Sequence, residues 1–273
     1  MKLLYTADLH GNREAYEGLL RRASLQDIGA IALGGDLCPR GGKTLQGWIG
    51  HQRAFLEEYL LPLFSGFREK YPKKEIFAIM GNDDFRKNLD VLGQAEAKGI
   101  LFSIHGRSLK LHDDIHIAGY SFVNATPFRL KDWEKKDSPG AKMPPQLSPE
   151  VLRSAEEEEG TISKDMEKIA KLSDPKKTVY VIHAPPFNTN LDVVSSGHHV
   201  GSAAVRAFIE KHAPPATLHG HIHESPGMSG SWMDVVGSTV CVNVGSPYPK
   251  KALPLCIMDV GNARTIAYEE VPL

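Results

Sequence analysis

Short apolar runs alternate with amphipathic stretches along the first hundred residues. The apolar runs predict three buried strands, at Leu3–Ala7, Ala30–Leu33 and Glu75–Met80. Apolar positions at helical spacing predict helices over Asn12–Gln26, Thr44–Phe64 with a break near Pro62, and Lys87–Lys98. Because strands that alternate with helices require crossover connections, this half of the chain predicts a largely parallel sheet.

The middle of the chain has a different pattern. Two alternating runs, Ser108–Leu111 and Ile115–Tyr120, predict a hairpin that turns at Asp113-Asp114. The Pro- and Lys-rich stretch 127–149 predicts a long surface loop. We expect Ser148 to cap a helix that runs through Glu156–Glu159, as a solvated face, toward Leu172.

The last hundred residues return to short apolar runs. Buried strands are predicted at Thr178–Ile182 and Ala216–Leu218, with a helix over Ser202–Lys211 between them. The remaining short runs alternate with turns, which predicts an antiparallel tail with strands at Val235–Val236, Thr239–Val244, Leu255–Val260 and Thr265–Glu269.

Polar clusters follow five of the predicted strands. They are Asp8-Leu9-His10, Gly35-Asp36, Gly81-Asn82-Asp83-Asp84, His183 and Gly220-His221-Ile222-His223. Functional groups of open α/β sheets gather at the carboxyl ends of the strands. Carboxylates, imidazoles and amide oxygens are ligands of divalent metal ions. The clusters therefore predict a metal site.

The spacing within the clusters indicates how the ligands divide. Asp8 and His10 are two residues apart, so on an extended segment both side chains would point the same way and grip one ion. His221 and His223 repeat that spacing, and each could reach one of two neighbouring ions. Asp36 has two oxygens that could bridge the ions. Seven mixed oxygen and nitrogen ligands suit two divalent Mn, Fe, Zn or Co ions, which in such sites lie ~3.5–4 Å apart.

The five clusters, in this order over residues 8 to 223, resemble the calcineurin-like metallophosphoesterase superfamily. Its pattern is DxH, GD, GNH/D, an isolated His and GHxH. The stretches Asn-Asp-Asp, His-Ala-Pro-Pro and His-Gly-His-Ile-His-Glu are similar to phosphoesterases related to cyclic-nucleotide phosphodiesterases. The resemblance implies an α/β fold, a layered α/β/β/α sandwich of two mixed β-sheets, with residues 1–273 as one domain.

The resemblance also implies roles for the clustered residues. One metal ion would take Asp8, His10, Asp36 and His223, and the other would take Asp36, Asn82, His183 and His221. Asp83 stands where the family often has a histidine near the leaving group. An ionised Asp83 would repel a phosphate unless it is protonated or paired with a cation. Asp84 is expected to orient the site as a second carboxylate.

The loop 187–201 lies between two ligand-bearing strands and supplies further candidates. His198 and His199 could reach a substrate, and Gly201-Ser202 opens a helix whose N-terminus could bind an anion. The alternative is an ordinary exposed loop in which Ser202 is the N-cap. Among the other histidines, His219 is expected to be structural or to support a ligand, and His105, His112 and His116 are expected to be surface or hairpin residues.

Composition and charge indicate which partners and which cellular compartment to expect. The formal net charge of −1 gives no global footprint for nucleic acid or an anionic membrane. Three cysteines without a CxxC pair fit a reducing compartment, and no apolar run approaches the ~18 residues of a membrane span. We expect a cytoplasmic protein that acts on a small phosphoester; the sequence does not predict its oligomeric state.

These observations predict a dinuclear metal-dependent phosphohydrolase that uses a metal-activated hydroxide. Two divalent ions with Asp8, Asp36 and a hydroxide leave one positive charge, which a phosphodiester monoanion neutralises. A phosphodiesterase is therefore favoured over a phosphomonoesterase, for which Arg13 or Arg86 would have to supply further charge. The other alternative is a non-catalytic interaction scaffold with the same fold, but scaffolds lose ligands and here all seven positions are filled.

Overall fold

Fourteen strands lie within residues 1–248 and 251–273, the part of the chain that the computed structural model describes. In chain order they are β1 (Lys2–Thr6), β2 (Ile28–Gly34), β3 (Glu75–Ile79), β4 (Phe102–Ser103), β5 (Ser108–His112), β6 (Ile115–Tyr120), β7 (Val123–Asn124), β8 (Glu134–Lys135), β9 (Thr178–Ile182), β10 (Ala216–His219), β11 (Met233–Val236), β12 (Thr239–Asn243), β13 (Ala252–Asp259) and β14 (Asn262–Pro272). Twelve of them form two six-stranded sheets, and β7 pairs with β8 separately.

Both large sheets are mixed. The first has the order β14-β13-β1-β2-β3-β4, in which β1 to β4 are parallel and β13 and β14 are antiparallel at one edge. The second has the order β11-β12-β10-β9-β6-β5, with β6, β9, β10 and β12 parallel and the two edge strands antiparallel. The predicted hairpin of β5 and β6 is confirmed. The tail is antiparallel within β11–β12 and β13–β14, but β12 also pairs in parallel with β10.

The two sheets bury one apolar layer between them. Tyr5 and Phe77 of the first sheet belong to the same buried cluster as Val181 and Leu218 of the second. Leu4 faces the other way and belongs to the cluster that includes the helices. Both faces of these strands are thus covered, which explains why the strands are continuous apolar runs in the sequence. The predicted two-sheet α/β fold is confirmed.

Seven α-helices occur in the described residues: α1 (Arg13–Ala23), α2 (Leu45–Phe55), α3 (Leu61–Lys70), α4 (Leu89–Ala97), α5 (Ile162–Ile169), α6 (Ala203–His212) and α7 (Ser225–Ser229). A π-helical turn, Leu56–Leu60, joins α2 to α3, and 3₁₀ turns cover Arg86–Asn88 and Pro175–Lys177. Helix α1 packs on β2, β13 and β14. None of the helices in residues 1–248 and 251–273 has the length and apolar content that crossing a bilayer requires.

Two predicted helices differ from the structure. In the second one, the regular α-helix is interrupted near Pro62, as predicted, by the π-helical turn Leu56–Leu60, but helical structure does not end at Phe64 and continues through α3 to Lys70. The helix predicted from Ser148 begins only after Thr161, its N-cap. The glutamate run precedes that cap in irregular structure, where Glu158 forms an ion pair with Lys135 instead of joining a solvated helix face.

The segment 127–149 is irregular apart from β8, and it is not simply the predicted surface loop. Lys131, Trp133 and Lys135 within it are buried. Lys131 Nζ lies 2.9 Å from Glu134 Oε1, and Lys135 Nζ lies 2.6 Å from Asp165 Oδ2. Because each buried ammonium has a carboxylate partner, lysines that the sequence suggests are solvated can lie inside the fold.

Candidate metal centre

The five polar clusters follow β1, β2, β3, β9 and β10, at the carboxyl-terminal edge of both sheets. Backbone hydrogen bonds join the turns after the strands: Asp8 N donates to Gly35 O at 3.0 Å, and His10 N donates to Asp36 O at 2.8 Å. The turns after β9 and β10 are joined in the same way, since Gly220 N donates to His183 O at 3.1 Å. The sheets therefore bring together side chains that are more than two hundred residues apart in sequence, such as His10 and His223.

Four of the predicted ligands have left-handed backbone conformations. The φ angles are +58° at Asp8, +44° at His10, +53° at Asp36 and +69° at His221. Non-glycine residues with such angles cost of order 1–3 kcal/mol each and cluster at functional sites. The expectation that Asp8 and His10 converge because their segment is extended is wrong. β1 ends at Thr6, and a tight turn directs both side chains to one point.

One group of donors combines two carboxylates and two imidazoles. Ligand atoms of Asp8, His10, Asp36 and His223 all lie within 4.8 Å of one another. His10 Nε2 and His223 Nε2 face each other at 3.1 Å, and His223 Nε2 lies 3.3 Å from Asp8 Oδ1. Both carboxylates are almost fully buried. Because buried carboxylates need a positive partner, this donor set fits a divalent cation.

A second group adjoins the first through Asp36. Asn82 Oδ1 lies 2.6 Å from His221 Nδ1 and 3.1 Å from His183 Nε2. Asp36 Oδ1 lies 3.5 Å from His183 Nε2, while Asp36 Oδ2 lies 3.7 Å from His10 Nε2. The two oxygens of this one carboxylate therefore face different groups of donors.

The ring of His183 has a fixed orientation. Its Nδ1 lies 2.7 Å from Gly34 O, so the Nδ1–H donates to that carbonyl and Nε2 faces Asn82 and Asp36. A metal-ligating histidine usually has this arrangement, since the hydrogen bond at one nitrogen directs the other. The approach also needs glycines: a Cβ at Gly35, where φ is +102°, or at Gly81 would lie 2.6 Å from a His183 ring nitrogen.

Charge and burial set the protonation of these groups. Burial lowers the pKa of His10 to about 4, and burial together with His183 lowers the pKa of His221 to about 3. Burial also opposes protonation of His183, but the attraction of Asp36 outweighs it and raises the pKa to about 9. Burial favours a neutral Asp36, but His183 and His10 hold the pKa of Asp36 below its usual value. Ionised carboxylates therefore lie beside neutral His10 and His221.

Asp83 has a cationic partner that the sequence analysis missed. Arg40, in the loop after β2, forms an ion pair with Asp83 through Nε. Burial and Asp36 raise the pKa of Asp83 to about 6, and Arg40 opposes that rise. The cations suggested from the sequence lie elsewhere, since Arg13 covers the ring of Tyr59 and Arg86 packs over Trp133. The position of Arg40, four residues after Asp36, was the available signal.

Asp84 organises the backbone of the site. Its buried carboxylate accepts hydrogen bonds from Leu37 N at 3.0 Å, Cys38 N at 2.8 Å and Gly81 N at 2.9 Å. Burial and Asp36 raise the pKa of Asp84, and these backbone donors oppose the rise. Asp84 thus joins the loop after β2, which carries Asp36, to the loop after β3, which carries Asn82.

The histidines of the loop 187–201 separate in the structure. His199 lies near the site, with Nδ1 2.7 Å from Asp192 Oδ1. His198 is exposed and its Nδ1 lies 2.9 Å from Ser196 Oγ. The N-terminus of α6 is not open to an anionic substrate, because Asp137 caps it: Ala204 N donates to Asp137 Oδ2 at 3.0 Å. Ser202 is the N-cap, as in the alternative interpretation.

Two histidines outside the clusters, His219 and His105, have structural roles in the interior. His219 is buried and its Nδ1 lies 2.8 Å from Ile182 O and 2.9 Å from Ala184 O, so it joins β10 to the end of β9. The expectation that His105 is a surface or hairpin residue is wrong, because it is largely buried and precedes the β5–β6 hairpin. Its ring packs 4.9 Å from the ring of Trp133, and burial lowers its pKa to about 4.

Two open clefts meet above the donor groups. The first cleft, of about 550 Å³, is lined by Asp36, Arg40, Trp48, Asn82, Asp83, Arg129, Leu130, Leu147 and His223. The second cleft, of about 540 Å³, is lined by Asn124, Lys142, Met143, Pro144, Val194 and His199. Phe128, His221 and Glu224 line both. Each cleft has a volume in the usual range for small-molecule sites.

The family profile described as calcineurin-like phosphoesterase matches residues 1–225. This chain belongs to the calcineurin-like phosphoesterase family. The predicted family is confirmed. Members of this family act on phosphoesters, and the donor groups described above lie within the matched residues.

The individual proteins that this chain resembles share only a small part of its sequence. Uncharacterized protein MJ1162 of Methanocaldococcus jannaschii is 26% identical over 182 residues, which cover 64% of this chain and 65% of that protein. The chain therefore matches less than two thirds of that relative's length. The crystal structure of TT1561 of Thermus thermophilus has a TM-score of 0.64 at 17% identity over 99% of this chain and 98% of that chain, which shows a shared fold. A novel archaeal phosphodiesterase gives a TM-score of 0.47 at 13% identity over 100% of both chains.

Proposed function

We propose that this calcineurin-like phosphoesterase is a dinuclear metal-dependent phosphodiesterase, with residues 1–273 as one domain. The observation that carries the proposal is Asp36, whose two oxygens face two separate groups of donors. Asp8, His10, Asp36 and His223 would hold one ion. Asp36, Asn82, His183 and His221 would hold the other. The donors are oxygen and nitrogen atoms, which suit Mn, Fe, Zn or Co.

When bound, two divalent ions supply Lewis-acid activation of water and of phosphoryl oxygens. The protein's own part is to fix the donors. The Gly34 carbonyl orients His183, and Asp84 holds together the loops that carry Asp36 and Asn82. The depressed pKa values of His10 and His221 keep those imidazoles neutral, as metal coordination requires.

Arg40 removes the main electrostatic objection to Asp83 in this family position. A lone carboxylate would repel the substrate phosphate, whereas an Asp83–Arg40 pair is neutral overall. The paired carboxylate is an acceptor rather than a proton donor for the leaving oxygen. His199 lies in the second cleft, where it can contact the substrate rather than the ions, while His198 would act only if its loop moved.

A diester fits the charge of the site better than a monoester. Two ions, Asp8, Asp36 and a hydroxide leave a single positive charge for the substrate to neutralise. Glu224 lines both clefts where they meet, and its carboxylate disfavours the second negative charge of a monoester. Arg40 is the observation that favours a phosphomonoesterase instead, because its guanidinium lies in the first cleft and could attract that charge.

The test has two readouts. Metal analysis of the purified protein should give two ions per chain, and Asp36→Asn should lower that number. Wild-type protein supplied separately with Mn, Zn, Fe or Mg should hydrolyse diesters faster than the corresponding monoesters. Substoichiometric metal together with no hydrolysis would instead indicate an interaction scaffold.

The three free cysteines are buried, which agrees with our proposal of a cytoplasmic setting.

A further inference from the structure

Residues 124–152 line one side of both clefts, and we call this segment the 124–152 wall. Its first turn is held by Lys131, a buried lysine whose Nζ donates to Thr126 O at 2.7 Å and pairs with Glu134. Leu147 N donates to Pro127 O at 2.9 Å, and Leu152 N donates to Arg129 O at 2.8 Å. These bonds connect both ends of the segment, so the 124–152 wall has a defined shape despite its lack of long strands.

The wall presents apolar side chains to the clefts. Phe128 is 50% exposed and lines both clefts, as His221 does. Met143, 54% exposed, faces the second cleft, and Leu147, 76% exposed, faces the first. Large apolar groups that remain in water around a polar reaction centre mark a surface that a ligand covers.

The clefts differ in character. Around the shared Phe128, the second cleft adds the apolar Met143, Pro144 and Val194, with Lys142 and His199 as its polar groups. The first cleft combines Trp48 and Leu147 with the guanidinium group of Arg40. Because both clefts open onto His221, a phosphorus atom at the donor groups would have one cleft on each side.

We propose that the substrate is a linear phosphodiester with two large substituents, one in each cleft, and that a flat apolar group occupies the second cleft against Phe128. The inference rests on the proposed phosphodiesterase function and names its substrate class. A dinucleoside monophosphate has this form. A 3′,5′-cyclic nucleotide carries both ester oxygens on one sugar, so it would fill only one cleft.

The first experiment compares substrates on the full-length protein with saturating Mn. Wild type should hydrolyse a linear dinucleoside monophosphate with kcat/KM at least about tenfold above that for a 3′,5′-cyclic nucleotide, since only the linear ester uses both clefts. Phe128→Ala should lower kcat/KM for the linear ester about tenfold, mainly through KM, which is the scale of one lost stacking contact. Leu25→Ala, an exposed leucine before β2 at the opposite edge of the sheet, is the matched control and should change neither value.

The second experiment measures binding without turnover. Calorimetry with a non-hydrolysable phosphonate analogue of the dinucleotide should show about tenfold weaker binding to Phe128→Ala than to wild type. Met143→Ala should weaken binding of an aryl(methyl)phosphinate, which has no ester bond to cleave and whose one large group occupies the second cleft. Leu147→Ala, in the first cleft, should leave that binding within about twofold.

The outcomes separate the two proposals. If wild type hydrolyses no phosphoester with any metal, the proposed function fails, and calorimetry alone then decides on the clefts. If wild type hydrolyses cyclic and linear esters equally well, or if Phe128→Ala matches wild type in both experiments, the inference about linear substrates is overturned while the phosphodiesterase proposal stands.

Discussion

The strand-end edge and the 124–152 wall border the same clefts but are built in opposite ways. At the edge, short turns after parallel strands place ionisable side chains within a few ångströms of one another, several of them in strained conformations. The wall is a long, mostly irregular segment stabilised by the pairs of the buried Lys131 with Glu134 and of the buried Lys135 with Asp165, and by a few backbone bonds. The difference separates two tasks, since rigid strand ends position reactive groups and a loop can change substrate contacts without disturbing them.

The largest expected effect comes from the edge. Asp36→Asn keeps the size of the side chain but removes the charge that faces both donor groups, so turnover should fall at least about a hundredfold. His183→Ala should have a comparable effect. Asp90→Asn, at an exposed aspartate paired with Arg53, is the control and should retain activity. Wild-type turnover in Asp36→Asn or His183→Ala, at saturating metal, would contradict the mechanism. Melting temperatures establish that both variants fold.

The wall should respond differently. Lys131→Met leaves Glu134 buried without its partner, which typically costs about 3–5 kcal/mol of stability and should loosen this segment. If the wall contacts substrate and the edge holds the metal, Lys131→Met should have a KM about tenfold higher than wild type for a linear diester and should still bind two metal ions. Lys177→Met, which breaks an exposed pair with Asp114, is the control. Loss of metal in Lys131→Met would show that the wall and the edge are not independent.

The same contrast explains what the sequence could predict. The strands before the five clusters are continuous apolar runs because both faces of each sheet are covered. These runs identify the strands in the sequence, and the polar clusters that follow them identify the metal donors. The turn geometry was not predictable from spacing: Asp8 and His10 converge through positive φ angles rather than through an extended segment. Spacing alone carries no information about a strained turn.

The wall was harder to predict because its determinants are non-local. Lys131 and Lys135 have the composition of a solvated loop, and only the positions of Glu134 and Asp165 in space make their burial favourable. Arg40 was missed for a similar reason. Its position four residues after Asp36 indicates only that it lies near the site, because its role depends on Asp83, 43 residues away.

Asp83 and Arg40 lie where the edge meets the first cleft, and they give the smallest expected effect. An Asp83 that is held by Arg40 does not protonate the leaving oxygen, and general-acid help is typically worth about 10²–10⁴-fold, most for basic leaving groups. Wild type should therefore depend strongly on leaving-group acidity, with aryl diesters such as bis-p-nitrophenyl phosphate far better than alkyl diesters. Asp83→Ala should cost only a few-fold, much less than Asp36→Asn.

A graded series of diesters decides whether the family's histidine is needed. Asp83→His should improve turnover of poor leaving groups more than of good ones, because an imidazolium would then lie where the leaving oxygen departs. The measurement is the slope of log kcat/KM against leaving-group pKa in wild type, Asp83→His and Asp83→Ala. A flat slope in wild type that becomes steep in Asp83→Ala would mean that Asp83 itself delivers the proton. In that case the pair with Arg40 would have to open during turnover, and Arg40→Ala, which leaves Asp83 unpaired, should keep the flat slope.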